Sequence, residues 1–200
     1  MSWISASIIS MKKTFLNTFL LLLLTFTMQA QLPENRLDWR AEPLSWDDFV
    51  GPPDLSSPFH ANTSSGISYY WSMKSSSEGA EFLYEVGSYF LPDQSWVRPG
   101  KKSEDLLAHE QLHFDITELH ARKLRKAMEE FDFEKTKNVK PALQAIYKST
   151  EAERANMQKR FDAETRHSMN KAAQLKWQKY VQEELLKLKE FSSKEQRLRS

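Results

Sequence analysis

The residues of this sequence best suited to chemistry are two histidines four positions apart, His109 and His113, with Glu110 directly after the first. On an α-helix, four residues turn the chain through about 400°, so the two imidazoles lie roughly 40° apart around the axis and about 6 Å apart along it. That separation allows both rings to bind one zinc ion at about 2.1 Å. Glu110 points to one side of the pair, where its carboxylate can reach a water molecule at the metal instead of the metal itself. The pattern predicts a zinc site with a carboxylate base beside it.

This His-Glu-x-x-His pattern is typical of zincin metalloproteases. In that chemistry zinc acidifies a water molecule, and the glutamate takes the proton of the water as it attacks a peptide carbonyl. We therefore expect a zinc-dependent metallopeptidase that hydrolyses peptide bonds of a protein or peptide substrate, with Glu110 as its catalytic residue. Two alternatives stay open: a non-catalytic exported protein that binds a metal through the same histidines, and a helical envelope scaffold without a metal.

A catalytic zinc ion needs a third protein ligand, and the candidates lie well beyond the motif in the sequence. His120 is excluded because it lies about 10 Å along the same helix from His113, and we expect it to be a surface or packing residue. The preferred third ligand is His167, and the alternative is Asp162. If His167 binds the metal, Asp162 could instead orient one of the ligand imidazoles.

Three other polar residues near the motif or upstream of it are expected to play supporting roles. Asp115 and Glu118 lie on other faces of the same helix, where they would support the ligands or form ion pairs. His60 is expected to be structural and not a ligand.

The elements that must position these residues follow from the distribution of glycine and proline. All five glycines and seven of the eight prolines lie at or before Gly100, so the second half should be mostly helical. Capping residues predict three helices there. They run from Ser103 to about Glu130, from Asn138 to a junction near Thr165, and from about Arg166 to Phe191, with Thr165 as the N-cap of the third.

Alternating apolar residues in the first half predict two strands of an antiparallel hairpin, one from Ser64 to Met73 and one from Phe82 to Phe90. The second strand could be an edge along which a peptide substrate lies as an added strand. The predicted fold is α+β and zincin-like, with a small antiparallel sheet packed on three long helices. Residues 31–191 would form a single metallopeptidase domain, followed by a polar tail, residues 192–200, that frays.

The N-terminal residues 1–30 have the pattern of a signal peptide. Lys12 and Lys13 precede an apolar run that ends near Phe26, and small or polar residues follow up to Ala30. Met11 is an alternative start. The run is shorter than the roughly 20 apolar residues of a membrane span, although an uncleaved anchor helix is the alternative. We therefore expect an exported protein, periplasmic or extracellular, without a stable membrane anchor after cleavage.

The amino-acid composition limits which side chains could bind a metal and which partners the protein is expected to have. The chain has no cysteine, which excludes disulfides, thiolate zinc sites and a cysteine nucleophile. Its 28 basic and 27 acidic side chains give a formal net charge of +1, which does not indicate a nucleic-acid-binding protein. Any metal must be bound by nitrogen and oxygen atoms.

Five stretches of the sequence share residues with one protein family. They are Leu44-Ser45-Trp46-Asp47-Asp48-Phe49-Val50-Gly51, Ala61-Asn62-Thr63-Ser64-Ser65-Gly66-Ile67, Ser95-Trp96, Leu107-Ala108-His109-Glu110-Gln111-Leu112-His113-Phe114-Asp115-Ile116, and Phe161-Asp162-Ala163-Glu164-Thr165-Arg166-His167-Ser168 leading to Gln174 and Trp177. In them the chain resembles a family of uncharacterised bacterial exported proteins, known only as a domain of unknown function and regarded as predicted zinc-dependent proteases. The family pattern has tyrosine near Phe161 and glycine near Ser168, so the chain departs from it there. The resemblance implies a zinc peptidase and implies no substrate.

Overall fold

The computed structural model describes residues 35–77, 79–193 and 195–199, all within one compact unit, so the expected signal segment lies outside the described residues. Nine elements of regular structure position the candidate residues in this part of the chain. They are β1 (Leu37–Asp38), β2 (Ala61–Asn62), β3 (Ser65–Ser76), β4 (Gly79–Phe90), β5 (Trp96–Val97), α1 (Glu104–Glu129), α2 (Val139–Thr165), α3 (Lys171–Lys187) and β6 (Glu195–Arg199). Short 3₁₀ turns occur at Trp46–Asp48, Pro92–Gln94 and Lys189–Ser192.

The predicted hairpin is confirmed and is longer than expected. β3 and β4 pair antiparallel along their full length, from Ser65 opposite Phe90 to Ser76 opposite Gly79. Alternate residues of β4 face the core, since Phe82, Tyr84 and Val86 are fully buried.

Both sides of β4 are paired, which corrects the prediction that the strand from Phe82 to Phe90 is an edge. β3 pairs with one side of it, while β1 and β6 pair with the other side at its two ends. The polar tail was expected to fray, yet residues 195–199 pair with residues 81–85 of β4. A substrate strand therefore has no free edge along most of β4.

Helix α1 begins as predicted. The Ser103 hydroxyl accepts a hydrogen bond from the Leu106 N–H at 3.2 Å, and Glu104 and Asp105 lie in the positively polarised first turn. Its buried residues lie on more than one face, because the sheet packs against one side and α2 and α3 pack against others.

The third helix begins later than predicted, and Thr165 is not its N-cap. Thr165 is the last residue of α2, and its hydroxyl donates to the Phe161 carbonyl at 2.7 Å. The chain then turns through three consecutive non-glycine residues of positive φ, Arg166, His167 and Ser168, at 50°, 51° and 71°. Asn170 caps α3 instead, accepting from the Ala173 N–H at 3.2 Å.

Three apolar clusters hold these elements together. The first lies between the hairpin and the C-terminal half of α1, the second joins the N-terminal wrap to the start of α1, and the third lies among the three helices. Phe49 is buried in the second cluster and Trp46 packs against it. This small antiparallel sheet with three helices confirms the predicted α+β class. None of the helices that the structure describes combines the length and apolar character needed to cross a bilayer.

Candidate metal centre

The motif histidines lie on one face of α1 and converge on one point. The Nε2 atoms of His109 and His113 are 3.3 Å apart, and their rings are nearly perpendicular. Phe161 from α2 is fully buried beneath both rings, with centroids 4.4 Å from His109 and 4.9 Å from His113. This packing restricts the rotation of both imidazoles.

The end of α2 returns to the motif and brings both candidate third ligands with it. Asp162 Oδ1 lies 3.3 Å from Nε2 of His109 and 3.0 Å from Nε2 of His113. His167, on the bend after α2, has its Nδ1 3.5 Å from the same Asp162 oxygen. His109, Asp162 and His167 each offer one donor atom, and these atoms lie within 4.8 Å of one another. Asp162 is common to both groupings, because its Oδ1 contacts the two motif nitrogens and His167 as well.

The spacing of these donor atoms fits a zinc ion. Ligands placed tetrahedrally at about 2.0–2.1 Å from zinc lie about 3.3–3.4 Å from each other. The triangle formed by the two Nε2 atoms and Asp162 Oδ1 has edges of 3.3, 3.3 and 3.0 Å. Two imidazole nitrogens and a carboxylate oxygen are also a donor set that zinc accepts. The residues present could hold this metal.

Two glutamines bind the other nitrogen of each motif imidazole. His109 Nδ1 is 3.2 Å from Gln174 Oε1, and His113 Nδ1 forms a short hydrogen bond with Gln158 Oε1. An amide oxygen only accepts, so Nδ1 carries the proton and Nε2 keeps its lone pair for a metal. The amide groups of these glutamines are fixed in turn, because they donate to the carbonyls of His113 and Asp105. Both rings are thus held in the metal-binding tautomer.

Glu110, the second residue of the motif, is buried and is oriented by Thr63. The Thr63 hydroxyl lies 2.7 Å from Glu110 Oε2 and 3.1 Å from the Glu110 carbonyl oxygen. The hydroxyl donates one hydrogen, so it engages one carboxylate oxygen and leaves the other for a further partner. Glu110 makes none of the contacts that join the histidines to Asp162.

The charges of Asp162 and His113 stabilise each other. Burial alone would raise the pKa of Asp162, but hydrogen bonds from the two motif histidines and their positive charge hold it well below its usual range. Burial would likewise lower the pKa of His113, yet Asp162 and the charge of Glu110 raise it. A proton on His113 Nε2 and a metal ion would therefore compete for the same position next to the ionised Asp162.

A cavity of about 420 Å³ opens directly onto these groups. Its walls come from residues 58–63, from α1 and from residues 162–169. A volume of this order is typical of small-ligand sites, which span about 300–1,000 Å³.

Three other polar residues near the motif have structural partners. His120 is buried, and its Nδ1 donates to the Ile116 carbonyl at 2.9 Å, so it is a packing residue. Glu118 forms buried ion pairs with Arg122 and Arg125. Asp115 accepts hydrogen bonds from Trp39 and Gln111 at 2.8 and 2.9 Å.

Sequence reasoning gave no role to four residues that support the site. They are Thr63, Gln158, Phe161 and Gln174, and all but Gln158 lie in or next to stretches shared with the related family. Gln158 lies in the middle of a long helix without any motif around it, so nothing in the sequence marks it. His60 lines the cavity and is exposed, and its carbonyl accepts from the Arg98 N–H at 2.8 Å.

Comparison with known proteins gives one family. Residues 93–168 match a family model described as "Bacterial protein of unknown function (DUF922)". The shared stretches at 44–51 and 61–67 lie outside the matched residues. Neither the curated proteins nor the solved structures contain a match to the chain. A DUF922 domain, a bacterial domain of unknown function, is thus found in residues 93–168, the segment that carries all four candidate donor residues.

Proposed function

We propose that this protein is an exported zinc-dependent metallopeptidase, periplasmic or extracellular. The observation that carries the proposal is the triangle of His109, His113 and Asp162 donor atoms with Glu110 beside it at the wall of an open cavity. The signal-like pattern of residues 1–30 supports export.

His109, His113 and Asp162 would hold the zinc ion, with His167 next to Asp162. Bound zinc supplies Lewis-acid chemistry, which polarises a carbonyl oxygen and lowers the pKa of water towards 7. Gln174 and Gln158 fix the orientation and tautomer of the two imidazoles, and the buried Phe161 restricts the motion of both rings. Asp162 neutralises one positive charge of the ion.

Glu110 would act as general base and then as general acid. Its free carboxylate oxygen accepts a proton from a water molecule, whose oxygen forms a bond to the carbonyl carbon of the substrate. Glu110 then gives that proton to the amide nitrogen as the carbon–nitrogen bond breaks. The second hydrogen of the water stays on the new carboxyl group and then passes to the amine, so the products are one carboxylate and one ammonium group, and Glu110 returns to its starting state. Thr63 is a positioning residue because it holds the other carboxylate oxygen.

The cavity offers a backbone edge to an extended peptide at β2. β2 pairs with β5, and the Arg98 N–H donates to the His60 carbonyl on that side. Backbone groups of an antiparallel strand alternate in direction, so those of Ala61 point away from β5. Ala61 also lines the cavity. β2 therefore replaces the strand from Phe82 to Phe90 as the place where a substrate strand would pair.

A non-catalytic metal-binding protein is the second candidate, and one observation favours it. The donor atoms of His109, Asp162 and His167 lie within 4.8 Å of one another, and His113 contacts the same Asp162. If all four residues bound the ion, they would close a zinc site and leave no position for substrate. The open cavity and the separate position of Glu110 favour catalysis.

The test compares wild-type protein with Glu110→Gln, both prepared without a histidine tag and loaded with zinc. We expect equal zinc content and a loss of peptide hydrolysis of at least about 10²-fold in the variant. Glu183→Gln, which changes an exposed glutamate of α3 that pairs with Lys179, is the control. Zinc binding without hydrolysis of any peptide by the wild type would favour the closed metal site.

A further inference from the structure

The cavity beside the candidate metal centre has apolar residues in its wall as well as polar ones. The apolar ones are Pro58, Phe59, Ala61, Leu106 of α1 and Met169. Among the described residues that line the cavity, the carboxylates are Glu110 and Asp162, and both already have functions in the proposed chemistry.

The side of the cavity that carries Phe59 is fixed by one arginine. A single nitrogen of Arg98, Nη2, donates to the carbonyls of Asp54 and Leu55 at 3.3 and 3.1 Å and makes a short hydrogen bond to that of Ser57. Asp54 also accepts from the Ser56 N–H and hydroxyl. These contacts hold the loop before Phe59 in one conformation. The apolar wall that includes Phe59 is therefore formed before a ligand binds.

Two large apolar side chains at the rim remain accessible to solvent. Met169 is 76% exposed and Phe59 is 41% exposed. The Phe59 ring lies 4.3 Å from the ring of His167, which places this exposed apolar side chain next to the donor residues. Apolar surface in a concave site becomes favourable when a ligand covers it, at about 25 cal/mol per Å².

We propose that Phe59, Leu106 and Met169 form a specificity pocket that takes a large apolar side chain of a peptide, next to the bond to be cleaved. This inference rests on the proposed peptidase function. The substrate class is peptides with leucine, phenylalanine or methionine beside the scissile bond. A charged side chain would lose its hydration against this wall without gaining an ion pair.

The test uses zinc-loaded full chain and a set of quenched fluorescent peptides that differ at one position, which is leucine, phenylalanine, alanine, lysine or aspartate. Mass spectrometry locates the cleaved bond. Leucine adds about three carbons over alanine at about 0.8 kcal/mol each, so we expect kcat/KM to be about 10- to 50-fold higher for leucine. Met169→Ala and Phe59→Ala should reduce that ratio about 3- to 10-fold, mostly through KM.

Leu175→Ala removes an apolar side chain outside the cavity whose exposure, 66%, lies between those of Phe59 and Met169, and it should leave the ratio unchanged. Met169→Asp should shift the preference towards lysine. Cleavage that is as fast beside alanine or lysine as beside leucine overturns the pocket and leaves the peptidase proposal intact. So does a leucine preference that survives both alanine variants. Absence of cleavage in every peptide by zinc-bound wild type overturns the peptidase proposal itself, and the pocket with it.

Discussion

At the scale of single residues, the proposed metal centre depends on which donors would share the ion. Asp162 Oδ1 is 3.0–3.3 Å from both motif nitrogens, whereas His167 Nδ1 is 3.5 Å from Asp162 Oδ1 and its side chain is exposed. These distances favour Asp162 as third ligand, although His167 was preferred from the sequence. His167 would then fix the orientation of the carboxylate.

Zinc affinity of two alanine variants separates these roles. Asp162→Ala removes a proposed ligand and should weaken zinc binding by at least about 100-fold, whereas His167→Ala removes a supporting contact and should weaken it by about 10-fold or less. Competition with a fluorescent zinc chelator measures both. A larger loss in His167→Ala would make His167 the ligand.

His120 gives a pH-dependent prediction of a different kind. Burial lowers the pKa of His120 to about 4, and the charges of Lys123 and Arg154 act in the same direction. The Ile116 carbonyl and the charge of Glu153 oppose this with smaller effects. A histidine in the unfolded chain has a pKa of about 6.5. Between these two pH values, the His120 imidazole is protonated in the unfolded state and neutral in the folded state. Stability is therefore complete above about pH 6.5 and falls as the pH decreases towards 4.

The expected loss of stability follows from the same linkage between pKa and folding. From pH 7 to pH 5, protonation of His120 in the unfolded chain should lower the free energy of unfolding by about 2 kcal/mol. His120→Asn keeps a side-chain donor and does not titrate, so its loss over this range should be about 2 kcal/mol smaller. Urea unfolding of metal-free protein at both pH values measures this. Equal pH dependence in the two proteins would contradict a neutral buried His120.

At the scale of elements, a buried ion-pair network holds α1 against the rest of the fold. Glu118 pairs with Arg122 and Arg125 and accepts from the Ser88 hydroxyl of β4 at 2.6 Å. Arg125 also donates to the carbonyls of Val86 and Phe191, both at 2.9 Å. The network joins the motif helix to the central strand and to the segment after α3.

Removing the shared carboxylate should be strongly destabilising. Glu118→Ala leaves two buried guanidinium groups without their partner, and we expect a loss of about 3–5 kcal/mol in denaturant unfolding. The exposed pair Lys126–Glu130, 3.8 Å apart on the same helix, provides the control. Glu130→Ala should change stability by less than about 1 kcal/mol. Similar losses in both variants would argue against the network.

The bend between α2 and α3 carries local strain. Ser168 has a φ of 71°, which costs a non-glycine residue about 1–2 kcal/mol. Ser168→Gly should therefore stabilise the protein by about 0.5–1 kcal/mol. Ser149→Gly, on the exposed face of α2, should instead destabilise it by a similar amount. A loss of stability in Ser168→Gly would mean that the serine side chain compensates the strain.

At the scale of the whole molecule, local sequence patterns predicted the individual elements but not the pairing of elements that are far apart in the sequence. The hairpin and the first two helices follow from periods of two and 3.6 residues and from caps such as Ser103. The central position of β4 depends on β6, whose partner lies more than a hundred residues earlier, and no local pattern encodes that pairing. The bend at residues 166–168 was missed because its residues are not glycine, the residue that most readily adopts a positive φ.

The same distinction applies to the metal centre. His109, Glu110 and His113 are recognisable because their spacing matches one turn of a helix. The choice between Asp162 and His167 needed the return path of α2, and the support from Gln158 and Gln174 needed packing between helices. Spacing alone identifies donors on one helix, whereas donors on separate helices require the tertiary fold.

The most direct test of the metal centre is native mass spectrometry of untagged protein after incubation with zinc and removal of the excess. We expect one zinc ion per chain in the wild type, and none in a variant that combines His109→Ala with His113→Ala. A wild-type protein that takes up no zinc under these conditions would contradict the proposal that these histidines bind zinc.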